Sequence, residues 1–149
     1  MKKCCLIIGL LAITLPGIGC DVLKSKEPIP QAAITEIYAL GETRSWLYGE
    51  YVEVKAVQER PDSCYIMIYV KSLPEKVTTP EEILDKARVF TSTFLKSAVK
   101  VLDRHKIKRD VSVWAQFPLT EGGVDILGHS RYVAKDGSFH DFERFERTK

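Results

Sequence analysis

With 149 residues, 45% of them hydrophobic and 28% charged, the chain has the length of one ordinary domain with its own core. Basic and acidic side chains number 22 and 20, a balance that supplies neither the electrostatic footprint of a nucleic-acid binder nor a polybasic patch for a lipid surface. Of the four cysteines only Cys64 lies beyond position 20, which leaves it without a disulfide partner in the body of the chain.

The first segment, MKKCCLIIGLLAITLPGIGCD, joins a positive start at Lys2 and Lys3 to an apolar run through Leu15, then Pro16 and Gly17. From Cys4 to Leu15 the run covers 12 residues, whereas a helix needs about 20 to cross a hydrocarbon core. The quartet Gly17-Ile18-Gly19-Cys20 resembles the lipobox of a bacterial lipoprotein precursor. That resemblance implies a signal peptide at 1–19, acylation of Cys20 and a mature protein held on a membrane of the cell envelope by palmitate-like chains. Asp21 resembles the residue that keeps some lipoproteins in the inner membrane. Gly17 departs from the usual aliphatic residue, and Gly17 with Gly19 also suits an ordinary secretory cleavage site, so plain secretion and an uncleaved anchor stay open. Under plain secretion, Cys20 would be free to pair with Cys64.

Residues 20–30 read as the modified cysteine and a tether, because VLKSKEPIP is polar and interrupted by proline. A single domain over 31–149 follows. In QAAITEIYAL, Ile34, Thr35, Ile37 and Tyr38 favour a strand, although Gly41 would also suit a helix C-cap. Trp46, Tyr48, Val52, Val54 and Ala56 share one face of a strand, with Glu53 and Lys55 opposite. ERPDS makes a turn, and CYIMIYVKS, apolar on both faces, suits a central covered strand opened by Cys64 as a buried core residue. Thr79-Pro80-Glu81-Glu82 carries an N-cap, a first-turn proline and a capping-box glutamate. Apolar residues from Ile83 to Leu102 then recur at steps of three and four, predicting a helix over 80–105. Val111, Val113, Ala115 and Phe117 alternate with Ser112, Trp114 and Gln116. VDILGHSRYVA is the next strand, with Gly128 as a bulge. KDGS forms a hairpin, and FHDFERFE returns, although Phe139, Phe142 and Phe145 step by three.

Strands, one long helix, then strands predict an α+β fold: an antiparallel sheet of about five or six strands with the helix packed on one face. Centring the hairpin on Asp136-Gly137 sets His140 against Val133 and His129 against Arg144. The two rings would then lie too far apart along the ladder to share zinc. No metal site and no cofactor is expected, and no phosphate loop or nucleophile elbow is present. Ser130 and His129 are adjacent and point to opposite faces. Trp114, Tyr65 and Tyr69 fall on the side away from the helix, where an exposed aromatic patch would bind a protein partner in the envelope. A second cover, from the N-terminal segment or the 139–145 return, is the alternative. A non-enzymatic, lipid-anchored binding module is therefore one expectation, and a small envelope hydrolase using His129 or His140 is the other.

Overall fold

The computed structural model describes residues 27–42, 52–71, 79–119 and 121–146. The signal and acylation segment through Cys20, the tether through residue 26, and Trp46 and Tyr48 lie outside these residues. The elements run α1 (Gln31–Glu42), β1 (Val52–Glu59), β2 (Ser63–Val70), α2 (Pro80–Arg104), β3 (Asp110–Pro118), β4 (Val124–Val133) and β5 (Ser138–Arg144). The protein is α+β, and its described residues form two helices and one five-stranded sheet ordered β1-β2-β3-β4-β5. The sheet is mostly antiparallel, but β2 and β3 pair in parallel, with Cys64 against Val111 and Ile68 against Ala115. This corrects the wholly antiparallel expectation. The chain leaves β2 at one end of the sheet, and α2 carries it back so that β3 starts where β2 started.

The segment expected to be a strand at 31–40 is a helix, and α2 is therefore one of two. Ala33, Ile37 and Gly41 recur every four residues and are buried, and this tertiary contact overrides the β-branched composition. The Pro30 carbonyl accepts from the Ala33 and Ile34 amides and starts the helix. Gly41 is no cap. It lies inside the helix, and a Cβ there would come within 2.8 Å of Val54 Cγ2, so glycine permits the close approach of α1 to β1. The Val57 amide donates to Tyr38 Oη at 3.2 Å, giving this donor of an edge strand a partner.

α2 forms as its N-terminal motif predicts. Thr79 Oγ1 accepts from the Glu82 amide and Glu82 Oε2 accepts from the Thr79 amide, satisfying two donors that a helix start leaves free. Ala87, Phe90, Phe94, Leu95, Ala98, Val101 and Leu102 join Cys64, Ile66, Ile68 and Val70 of β2 and Val111, Val113 and Ala115 of β3 in one buried cluster. The other parity of β2, with Tyr65, Met67 and Tyr69, stays half-buried, so this strand is central but not fully covered on both sides.

Two registers differ from expectation. In β1 a bulge between Val54 and Ala56 places Val57 opposite Ile66, and Ala56 opposite Met67 on the other side. In the last hairpin Val133, rather than Lys135, faces Ser138. Gly137 donates to the Val133 carbonyl, and the Ser138 amide and hydroxyl both donate to Asp136 Oδ1. An aspartate side chain that bonds the backbone two residues on widens the loop to Ala134–Gly137.

Candidate functional site

Strand pairing lays the outward side chains of β2 to β5 into rows. Met67 lies opposite Trp114, Trp114 opposite His129, and His129 opposite Glu143. Tyr65 and Tyr69 flank Met67 on the same side of β2, opposite Ser112 and Gln116. The three aromatic residues expected to form a binding surface therefore share one side of the sheet. The expected second cover is not supplied by α1, which buries Ala33 and Ile37 with the helix-side core. Phe142 of β5 also packs against that core.

Each of the three rings carries a polar companion. The Trp114 and His129 rings stack with centroids 4.3 Å apart and planes 13° from parallel. Lys55 Nζ lies 4.7 Å from the centre of the Tyr69 ring, and the Arg60 guanidinium carbon 5.0 Å from that of Tyr65. A cation over an exposed ring contributes roughly 0.5–1 kcal/mol. Such contacts hold the rings at defined angles, and all three rings stay half-buried.

Trp114 adds a directional feature. Its Nε1 is buried and has no acceptor among the described residues, although buried indole N–H groups ordinarily find one. Trp114 also lines an open cavity of about 520 Å³ together with His129, Glu143, Arg144, Phe145 and Glu146. Phe145, with 44% of its surface exposed, also lines a second cavity of about 640 Å³ that reaches Ile83, Leu84 and Phe117. Glu143, Arg144 and Phe145 are not among the site residues read from the sequence. The three-residue step of the C-terminal phenylalanines was their one visible signal.

Burial beside the indole holds the His129 imidazole below its ordinary pKa, Glu143 opposes that shift, and Arg131 adds to it. His129 Nε2 is 3.9 Å from Glu143 Oε2, too long for a hydrogen bond. His140 is exposed, faces Arg131 and lies 3.2 Å from Ser138 Oγ through Nε2. The widened hairpin sets His140 two ladder positions from His129 instead of four, which corrects the expected separation. Among the described residues no group of three or more His, Cys, Asp or Glu is placed to hold a metal ion. His105 Nε2, at the end of α2, donates to Glu36 Oε1 at 2.8 Å, and this contact holds the Glu36 carboxyl below its ordinary value.

Ser130 points away from His129 into the core, where its Oγ lies 2.8 Å from Thr91 Oγ1. Cys64 is buried and unpaired by any disulfide, with its thiol pushed up to about 11 by burial. Among the described residues no helix is long and apolar enough to cross a membrane. Comparison with protein-family models, curated proteins and solved structures returns no match for this chain.

Proposed function

We propose that the protein is a lipid-anchored envelope module, held by acyl chains on Cys20, that binds another envelope protein without catalysing a reaction. In this reading the long helix α2 covers one face of the sheet, and the opposite face, with Trp114, Tyr65 and Tyr69, is the working surface. The anchoring half rests on the lipobox-like Gly17-Ile18-Gly19-Cys20, and Asp21 favours the inner membrane.

The binding half is carried by one observation: Trp114 is stacked in place by His129 on the same side of the sheet as the half-buried Tyr65 and Tyr69. Rigid aromatic side chains with a polar handle are the usual anchors of protein interfaces. A partner segment that lays apolar surface across the tyrosines and the edge of the indole would use all three rings.

A three-way comparison in the native host tests this against histidine chemistry. Trp114→Ala should abolish cross-linking to the partner from a photoreactive group placed at Tyr69, with thermal stability retained. His129→Phe combined with His140→Ala keeps a stacked ring and removes both imidazoles. That double variant should cross-link and function as the natural chain does. Loss of function in it with the cross-link intact would favour the hydrolase reading.

A further inference from the structure

Arg109 stands just ahead of β3 with 2% of its surface exposed, and a guanidinium so buried requires partners for its donors. Its Nη1 donates to Glu59 Oε1 at 2.7 Å and to the Arg60 carbonyl at 2.8 Å. Its Nη2 donates to the Glu27 carbonyl. The Ile29 amide donates to the same Glu59 oxygen at 2.8 Å, and the Ile29 side chain enters the core. The main chain at 27–29 is thus gripped through a carbonyl, an amide and a buried side chain.

This grip sits at one end of the sheet. Glu59 pairs with Cys64, Ser63 with Asp110, Val111 with Tyr132 and Val133 with Ser138. The β1–β2 turn, the entry to β3 and the β4–β5 hairpin therefore gather there. The β3–β4 turn with Glu121 stands at the other end, separated by the 10 residues of β4, or roughly 30 Å of strand.

We infer that Arg109 and Glu59 form a clamp that makes the lipid leash short and fixes which end of the domain faces the bilayer. The inference rests on the anchored reading above and deepens it. Seven residue steps separate Cys20 from Glu27, and a fully extended chain of that length reaches at most about 25 Å. The clamped end is held within that distance of the lipid headgroups, and the β3–β4 turn points away. The partner of the Trp114 surface is accordingly a protein that presents its segment beside the same bilayer.

Energy transfer in the lipidated full chain, reconstituted in vesicles with a headgroup-labelled acceptor, tests this. Donors are attached to Lys135→Cys at the hairpin and Glu121→Cys at the far turn, both exposed positions, while Cys64 is shielded by burial. Transfer from position 135 should exceed that from 121 by about twofold or more across a ~30 Å domain. Arg109→Met should bring the two values together. A flexible Gly-Ser insertion of about 12 residues between Ser25 and Lys26, adding ~19 Å of reach, should lower transfer at both positions. The insertion leaves the clamp intact and keeps the test decisive if Arg109→Met does not fold. Equal transfer at 135 and 121 in the lipidated chain, or transfer unchanged by the insertion, overturns the clamp and leaves the anchored reading standing. A chain that carries no acyl group and stays off the vesicles overturns both.

Discussion

Thr91 of α2 and Ser130 of β4 meet inside the core, their hydroxyl oxygens 2.8 Å apart. Thr91 Oγ1 also reaches the Ala87 carbonyl at 2.8 Å, and Ser92 Oγ lies 3.3 Å from Ser130. These hydroxyls form a small polar seam where the helix crosses the sheet. Removing either hydroxyl loses the bond the two share, and the one that remains keeps only its contact to the Ala87 carbonyl or to Ser92. Thr91→Val and Ser130→Ala should each destabilise the fold by about 1–2 kcal/mol. The double variant should cost less than their sum, by about 1 kcal/mol in a urea-unfolding cycle. Strict additivity would mean the two hydroxyls do not cooperate.

Gly128 has φ 156°, and a Cβ there would stand 2.3 Å from the Glu143 carbonyl oxygen and 2.5 Å from Phe142 Cζ. The obstacle includes backbone, so β5 must move away from β4. Gly128→Ala should cost about 3 kcal/mol or more, in the range that single substitutions reach only through clash or cavity. Gly137→Ala, at φ 71° with open space around it, should cost only the 1–2 kcal/mol of a left-handed backbone. Thermal unfolding of the two variants side by side measures the difference. Similar losses would show that the β4–β5 contact is looser than described.

His129 gives stability a pH dependence with a definite sign. Its folded-state pKa is held below the ordinary 6.5, first by burial. The unfolded chain takes up this proton before the folded one does. The contribution is therefore present above pH ~6.5 and is lost as pH falls from there toward the folded-state pKa. His129→Phe should flatten the unfolding free energy over that window, while Glu143→Gln, by removing the opposing carboxylate, should steepen it. Imidazole titration by NMR and denaturant unfolding at stepped pH provide the check, and a His129 that titrates above 6.5 would reverse the slope.

Cys64 should be chemically silent in the native protein, since burial pushes its thiol up to about 11 and the thiolate is the reactive form. Maleimide labelling of the mature protein at pH 7.5 should modify no thiol until denaturant is added, when Cys64 alone reacts. One rapidly labelled thiol before denaturation would identify a bare Cys20, and with it a protein that is not acylated.

The parts of the fold readable in the sequence were those whose local signals agreed with their tertiary setting. The capping box at Thr79 and Glu82 and the apolar stripe beyond it mark α2 without reference to any other element. The alternation around Trp114 likewise assigns its side of the sheet, and hence the surface proposed to bind. In α1, Ile34 and Thr35 argue locally for a strand, and only the contacts of Ala33 and Ile37 with the core decide for helix. The hairpin register hinges on the Asp136 carboxylate bonding Ser138, a choice between two turns that spacing does not make. The Trp114–His129 stack and the Arg109 grip join residues far apart in the chain, so no motif announces either.

The parallel seam between β2 and β3 has a kinetic consequence. On one side of it lies the β1–β2 hairpin and on the other the β3–β4–β5 meander, each able to zip from its own turn. Joining them requires closing the long excursion through α2, so neither half can finish the sheet alone. Docking of the two pieces should therefore be the slow step of folding, because the β2 and β3 edges find each other only across that long loop.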